Sequence, residues 1–291
     1  VKRLLITGAG SYLGTSLESH LKRHPQSCAV DTVDMRDDAW KARDFSGYDA
    51  VFHVAGIAHV SSSERDADLY FRVNRDLAVE TARKARDAAV GQFIFMSSII
   101  VYGDAGLIDR NTPPRPRDFY GQSKLQAEEG LNKLATDRFR VAVIRAPMIY
   151  GKGSRGNYPR LAALARRLPL FPDCDNRRSM LHIDNLCEFV RLLVANGDSG
   201  LFFPQNREHV RTSEMVRLIA EAHGRRLRLV PGFGPLLRAM AGRVGIVGKV
   251  FGDLAYDPAL SGYRDDYRLL DLRASILATE ATAEGKSNGH A

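Results

Sequence analysis

The residues with most chemical content are Tyr120 and Lys124, four positions apart in the segment FYGQSKLQAEEG. A helix opening at Tyr120 places both side chains on one face. A phenol titrates near about 10 in water and is a poor base at neutral pH. A neighbouring ammonium favours the phenolate and lowers that value. Tyr120 would then take a proton from a hydroxyl as hydride leaves its carbon, and give one back when hydride arrives. Ser97 and Ser98 follow the apolar run Phe93, Ile94, Phe95, Met96. A hydroxyl at the carboxyl end of a strand faces the crevice where open α/β sheets bind ligands. Ser98 would hydrogen-bond the reacting oxygen and orient it. The Tyr-x3-Lys spacing also occurs as plain surface dressing of helices, so the elements that position it decide its worth.

Those elements alternate. Residues 4–7, 29–33, 50–54, 93–97 and 141–145 are short apolar runs that predict buried strands. Between them, Val73, Leu77, Thr81, Ala85 and Ala88 recur at helical spacing. The pattern predicts an α/β protein: a Rossmann-type doubly wound parallel sheet with a smaller C-terminal substrate-binding lobe. Residues 1–150 are expected to form the dinucleotide-binding domain, with a return to it around 180–200. Residues 151–278 would be mainly the second lobe, and residues 279–291 a flexible tail.

The first predicted strand runs into Thr7-Gly8-Ala9-Gly10-Ser11-Tyr12-Leu13-Gly14. A strand, a glycine turn and a helix start offer backbone N–H groups to a pyrophosphate. Gly8 permits the sharp turn, Gly10 lets phosphates approach, and Gly14 allows the helix to pack on the sheet. Asp34 lies 26 residues after Gly8 and is placed to accept hydrogen bonds from an adenosine ribose, which favours NAD. Arg36 would instead neutralise a ribose 2′-phosphate, which favours NADP. The choice between NAD and NADP stays open.

Composition removes several alternatives. The 291 residues carry a formal charge of +8, which suits nucleic acid, an anionic membrane or an anionic small ligand. No Lys/Arg run lies beside aromatic platforms and no zinc-finger spacing exists, so no nucleic-acid partner is expected. A phosphate-rich cofactor and substrate use the same surplus. Cys28, Cys174 and Cys187 show no CxxC spacing and read as packed thiols. No signal peptide is apparent, and the apolar stretch at 244–250 is interrupted by Gly245, Gly248 and Lys249. A cytoplasmic protein without membrane insertion is expected. His53 reads as support for a cofactor loop rather than as a direct acid or base. His59 and His182 form no metal spacing with it, Asp184 reads as scaffolding, and no metal is expected. No G-x-S-x-G elbow surrounds either serine, which argues against an esterase.

Together the segments TGAGSYLG (7–14), FHVAG (52–56), Asn74, MSSIIVYG (96–103), YGQSK (120–124), RAPMIYG (145–151), GNYPRL (156–161), RRSMLHIDNL (177–186) and FGDLAYD (251–257) resemble the extended short-chain dehydrogenase/reductase family, in its nucleotide-sugar epimerase, dehydratase and ketoreductase branch. The resemblance implies that Ser98, Tyr120 and Lys124 are the catalytic residues. It implies that Gly8, Gly10, Ser11, Tyr12, Leu13, Gly14, Asp34, Arg36, Ala55, Asn74, Tyr120 and Lys124 bind NAD or NADP, with Lys124 on the nicotinamide ribose. Asn157 and Arg178 would lie near a nucleotide diphosphate and Phe171 near the base, uridine diphosphate being the branch's commonest handle. A homodimer is implied too. Arg178 also reads as a surface charge beside Arg177.

There are departures. Ser11 stands where the family has glycine, and the segment between the second strand and Val51 is short, which loosens the assignment of Asp34 and Arg36. Ile99 and Ile100 occupy the positions where sugar 4,6-dehydratases of this family carry Asp and Glu. Alkyl groups cannot perform that acid–base elimination, but they tolerate a C6 methyl. The segments FIFMSSIIVYG, YGKGSRGNYPRL and LPLFPDCDNRRS are most similar to capsular polysaccharide enzymes that reduce UDP-2-acetamido-2,6-dideoxy-4-hexulose. The expectation is an NAD(P)H-dependent reductase of a UDP-4-keto-6-deoxy-(N-acetyl)hexosamine, followed by a UDP-sugar 4-epimerase with retained NAD, and then by a non-catalytic nucleotide sensor or scaffold.

Overall fold

A computed structural model describes residues 1–58, 67–234, 248 and 250–281 of the chain. His59, most of the 244–250 stretch and residues 282–291 lie outside the described residues. In chain order the first lobe contains β1 (Lys2–Thr7), α1 (Tyr12–Lys22), β2 (Cys28–Val33), β3 (Ala50–His53), α2 (Ala67–Tyr70), a π-helical stretch (Phe71–Asp76), α3 (Leu77–Asp87) and β4 (Gln92–Ser98). A 3-10 turn (Ile99–Tyr102), β5 (Gly106–Ile108), α4 (Phe119–Asn132) and β6 (Arg140–Ala146) follow. The remainder supplies β7 (Met148–Tyr150), α5 (Asn157–Arg167), β8 (Leu170–Pro172), β9 (Met180–His182), α6 (Ile183–Asn196), β10 (Gly200–Phe202), α7 (Thr212–Ala222), β11 (Arg228–Val230), β12 (Leu254–Tyr256) and α8 (Leu272–Glu280).

The main sheet has six strands in the order β10-β6-β4-β3-β1-β2, every neighbouring pair parallel. Both faces are buried, which is why its strands read as continuous apolar runs. Leu4, Ile6, Phe52, Ile94, Met96 and Ile144 pack on one face with α6 residues such as Leu186, Phe189 and Val190. Leu5, Val51, Phe93, Phe95, Val141 and Val143 pack on the other with Ala78, Ala82, Ala127 and Leu131 from α3 and α4. The order reverses between β2 and β3, on either side of β1. The carboxyl ends there form the crevice that open α/β sheets use for ligands.

The short segment between β2 and β3 contains no strand, only a 3-10 turn (Asp38–Ala42) that buries Trp40. Within residues 180–200, α6 packs against α1. A separate core of Tyr158, Leu161, Phe171, Met215, Val216, Ile219 and Ile276 holds α5, α7 and α8 together. The tail was expected to start at residue 279, but α8 continues through Glu280. Buried Glu280 accepts hydrogen bonds from Tyr158 (2.8 Å) and Arg166 (3.2 Å) and contacts the His223 ring (2.6 Å), which fixes that turn.

Candidate active site

The glycine turn lies across the reversal. The amides of Gly8 and Ala9 both donate to the carbonyl of Val33, at 2.9 and 3.0 Å, tying the turn to the end of β2. Gly8 has φ +100°, and a Cβ there would lie 3.0 Å from the Ala55 nitrogen. Ala55 therefore sits directly against the turn, and a side chain at position 8 is excluded twice over. Ser11, the departure from the family fingerprint, is the N-cap of α1: its Oγ accepts from the Gly14 amide at 3.1 Å. A Cβ on Gly14 would fall 2.8 Å from that Oγ and 3.1 Å from the Gly8 carbonyl oxygen. Gly10 faces open space, with no heavy atom within 4 Å of where its Cβ would be. The amides of Tyr12 and Leu13 precede the helix's own ladder, and no acidic side chain lies in the first turn. An open, electropositive helix end beside a side-chain-free approach fits a dinucleotide pyrophosphate.

Asp34 and Arg36 follow β2 as one exposed ion pair, Arg36 Nε lying 3.0 and 2.9 Å from the two carboxylate oxygens. Hydrogen bonds from the Arg36 side chain and backbone pull the Asp34 carboxyl down to about 2. The two groups pair with each other at the end of β2.

The capped start of α4 sets Tyr120 and Lys124: Asp118 accepts from the Gly121 amide at 2.8 Å. Ser98 ends β4 beside the Tyr120 phenol, whose pKa its hydroxyl lowers in part. Lys124 is buried, its Nζ donating to the Met96 carbonyl at 2.8 Å and lying 4.6 Å from the centre of the Phe95 ring. The three predicted side chains thus meet at the carboxyl end of β4.

The electrostatics differ from the sequence expectation. Burial pushes the Tyr120 phenol up to about 12, and the Ser98 hydroxyl offsets this only in part. Burial also lowers Lys124 to about 8, against the opposing field of Glu128. The anticipated lowering of the phenol by Lys124 has no counterpart in the protein alone: burial dominates at Tyr120, and the ammonium donates to the Met96 carbonyl.

Asn74, fully buried in the π-helical stretch, accepts from the Ile57 amide (2.9 Å) and donates to the Ile57 carbonyl (3.0 Å) and Ser123 Oγ (3.1 Å). It ties the loop after β3 to α4. That loop passes so close that a Cβ on Gly56 would lie 2.9 Å from Asn74 Oδ1 and 3.4 Å from Lys124 Nζ. His53 is buried, with Nδ1 2.8 Å from Thr7 Oγ1, and its ring stacks on Phe93 and Phe95. Burial lowers it to about 3, so it is a neutral support for the ends of β1 and β3.

In the second lobe, Asn157 opens α5 and Phe171 is a buried β8 residue stacked on Phe251 at 5.8 Å. Arg178 is not a free surface charge: its Nη1 donates to the Gly252 carbonyl at 2.9 Å, and burial lowers its pKa.

Sequence reasoning missed the layer beneath the site. Ser97 Oγ donates to Glu128, which also receives Arg145 through Nε (3.1 Å) and Nη2 (2.6 Å). Arg145 Nη1 reaches the Tyr102 hydroxyl at 2.6 Å. Ser97 and Arg145 are register partners on β4 and β6, and Glu128 lies one helical turn beyond Lys124. That i+4 spacing, and Arg145 at the head of RAPMIYG, were the available signals. A second cluster, His20, His24 and Glu188, places possible ligand atoms within 4.8 Å of one another. Arg191 already grips both Glu188 oxygens, at 2.8 and 2.6 Å, and Arg23 contacts the His20 ring at 3.2 Å, an unfavourable field for a cation.

This fold and site define a dinucleotide-dependent oxidoreductase class. Residues 4–202 match the NAD dependent epimerase/dehydratase family, and the chain belongs to it: an NAD(P)-dependent enzyme of nucleotide-sugar hydride-transfer chemistry. A UDP-glucose 4-epimerase of Vibrio cholerae is 31% identical over 249 residues, 76% of each chain. A GDP-6-deoxy-D-mannose reductase of Pseudomonas aeruginosa is 27% identical over 267 residues, 84% of this chain and 87% of that one. Among solved structures, MoeE5 in complex with UDP-glucose and NAD is 21% identical, with a TM-score of 0.69 and coverage of 95% and 97%. At that identity the likeness speaks to the fold.

Proposed function

We propose that the protein reduces the 4-keto group of a UDP-4-keto-6-deoxy-(N-acetyl)hexosamine at the expense of NADH or NADPH, with Tyr120 as the proton donor. The observation that carries this reading is the placing of Ser98 at the end of β4, with Ile99 and Ile100 directly after it, beside the start of α4 that carries Tyr120 and the buried Lys124. A neutral phenol is prepared to donate to the oxygen of an arriving alkoxide. The dinucleotide, held by the residue 8–14 turn, Ala55 and Lys124, with Asn74 bracing the loop beside them, supplies the hydride when bound. Ser98 orients the carbonyl oxygen against Tyr120, and Ile99 and Ile100 accept an unsubstituted C6 methyl. On the substrate side, Arg178, a half-buried cation whose side chain bonds the Gly252 carbonyl, would gain from a diphosphate. Asn157 sits beside it in this reading and Phe171 near the base. A homodimer completes the proposal, checked by sedimentation equilibrium.

A second reading, a UDP-sugar 4-epimerase that retains NAD, draws on the likeness to the Vibrio cholerae enzyme. One assay separates the two. UDP-sugars and UDP-4-keto-sugars are supplied while NADH and NADPH absorbance is followed. Stoichiometric loss with the keto substrate marks the reductase; interconversion without net loss marks the epimerase. Dinucleotide binding with neither reaction would leave a sensing or scaffold role.

A further inference from the structure

One end of the second lobe combines charge and apolar exposure in a way the active site does not use. Strands β8 and β11 pair in parallel, with Arg228 opposite Leu170 and the Arg228 amide donating to the Pro169 carbonyl at 3.0 Å. Parallel pairing brings the two approaches, LARRLPL (164–170) and HGRRLR (223–228), to the same end. The C-termini of α5 and α7 lie there too, because each helix leads directly into its strand. These thirteen residues hold five arginines and no aspartate or glutamate. Arg166 is paired with Glu280, whereas the side chains of Arg167, Arg225, Arg226 and Arg228 are exposed and make no ion pair or hydrogen bond among the described residues. Set among them, Leu164, Leu168 and Leu170 are 40%, 37% and 51% exposed.

We infer that this end docks on an anionic lipid bilayer surface. Helix-end arginines complement the helix dipole, but that accounts neither for the three strand-approach arginines nor for leucines left in water. Cations interleaved with apolar tips match the two components of an anionic membrane interface: headgroup charge, and hydrocarbon a few ångströms deeper. Nucleic acid is the weaker match, since the described residues at this end include no exposed aromatic platform for stacking. An acidic protein partner would leave the leucines without their apolar counterpart. The contact is peripheral; no described helix is long and apolar enough to cross a membrane.

The test is co-sedimentation of the full chain with phosphatidylcholine vesicles, with and without phosphatidylglycerol. The protein is expected to pellet only with the anionic vesicles and to be released by salt. Arg225→Gln with Arg226→Gln should weaken binding about fivefold per charge. Leu168→Ser with Leu170→Ser keeps the charge and should weaken binding about tenfold. All four positions are exposed, so unchanged circular dichroism and dinucleotide binding are expected of both variants. No pelleting with anionic vesicles overturns the inference. So does parental binding by the leucine variant, which would mean bare electrostatic adsorption. Tighter, leucine-independent binding to duplex DNA would assign the surface to nucleic acid instead.

Discussion

Replacing Lys124 by Met should make the protein more stable and nearly inactive. The side chain is 6% exposed, and its pKa falls from an ordinary 10.5 to about 8. That fall amounts to roughly 3 kcal/mol held against the charged form at neutral pH. Methionine fills a similar volume without charge. The Met96 carbonyl then loses its donor, which costs about 1 kcal/mol, leaving a net gain of about 2 kcal/mol. The pH dependence gives the sharper check. With its folded value depressed, Lys124 binds fewer protons folded than unfolded between about 8 and 10.5, so parental stability rises across that window. The advantage of the variant is therefore full below about 8 and disappears toward 10.5. Urea denaturation at a series of pH values measures it directly. A difference that stays flat through that window, or a less stable variant at pH 7, would refute the argument that burial dominates at this lysine.

Three further substitutions probe the surrounding structure. Glu128→Gln leaves Arg145 buried and uncompensated, and should lower unfolding free energy by about 3–5 kcal/mol; the same denaturation series reads it, and near-parental stability would count against the buried layer. Tyr120→Phe should fold normally and lower turnover by about 10²–10⁴, measured with the best substrate found; near-parental turnover removes the proposed proton donor. Gly14→Ala places a methyl 2.8 Å from Ser11 Oγ, displacing the cap of α1. Affinity for NADH, followed by fluorescence titration, should fall about tenfold or more.

The parallel sheet was legible because both of its faces are buried, which makes β1, β3, β4 and β6 dense apolar runs between glycine turns. The glycine turn and the shared face of Tyr120 and Lys124 followed from local spacing, whereas the grouping of both with Ser98 came from the family resemblance. Local spacing fails once the answer depends on a residue distant in sequence. Ser11 looked like a flaw in the turn until its Oγ was seen capping α1. Arg178 read as a diphosphate contact or, alternatively, as a surface charge beside Arg177; it is half-buried and bonded to Gly252, 74 positions away. The Glu128–Arg145 pair joins α4 to β6, and the local signals at each end do not say that the two meet.

The phenol and the ammonium illustrate the same limit in chemical terms. A four-residue spacing on a helix establishes that two groups share a face, not which atom each one addresses. Here the ammonium turns to the Met96 carbonyl and the phenol lies beside Ser98, and the burial that brings them together raises one pKa and lowers the other. Both shifts favour the neutral forms. A cycle that begins by delivering a proton can start from this arrangement. A cycle that begins by removing one needs additional positive potential at the phenol before Tyr120 can act as a base. The direction in which the first proton moves therefore depends on the charge that the bound dinucleotide brings to the carboxyl end of β4 as well as on burial there.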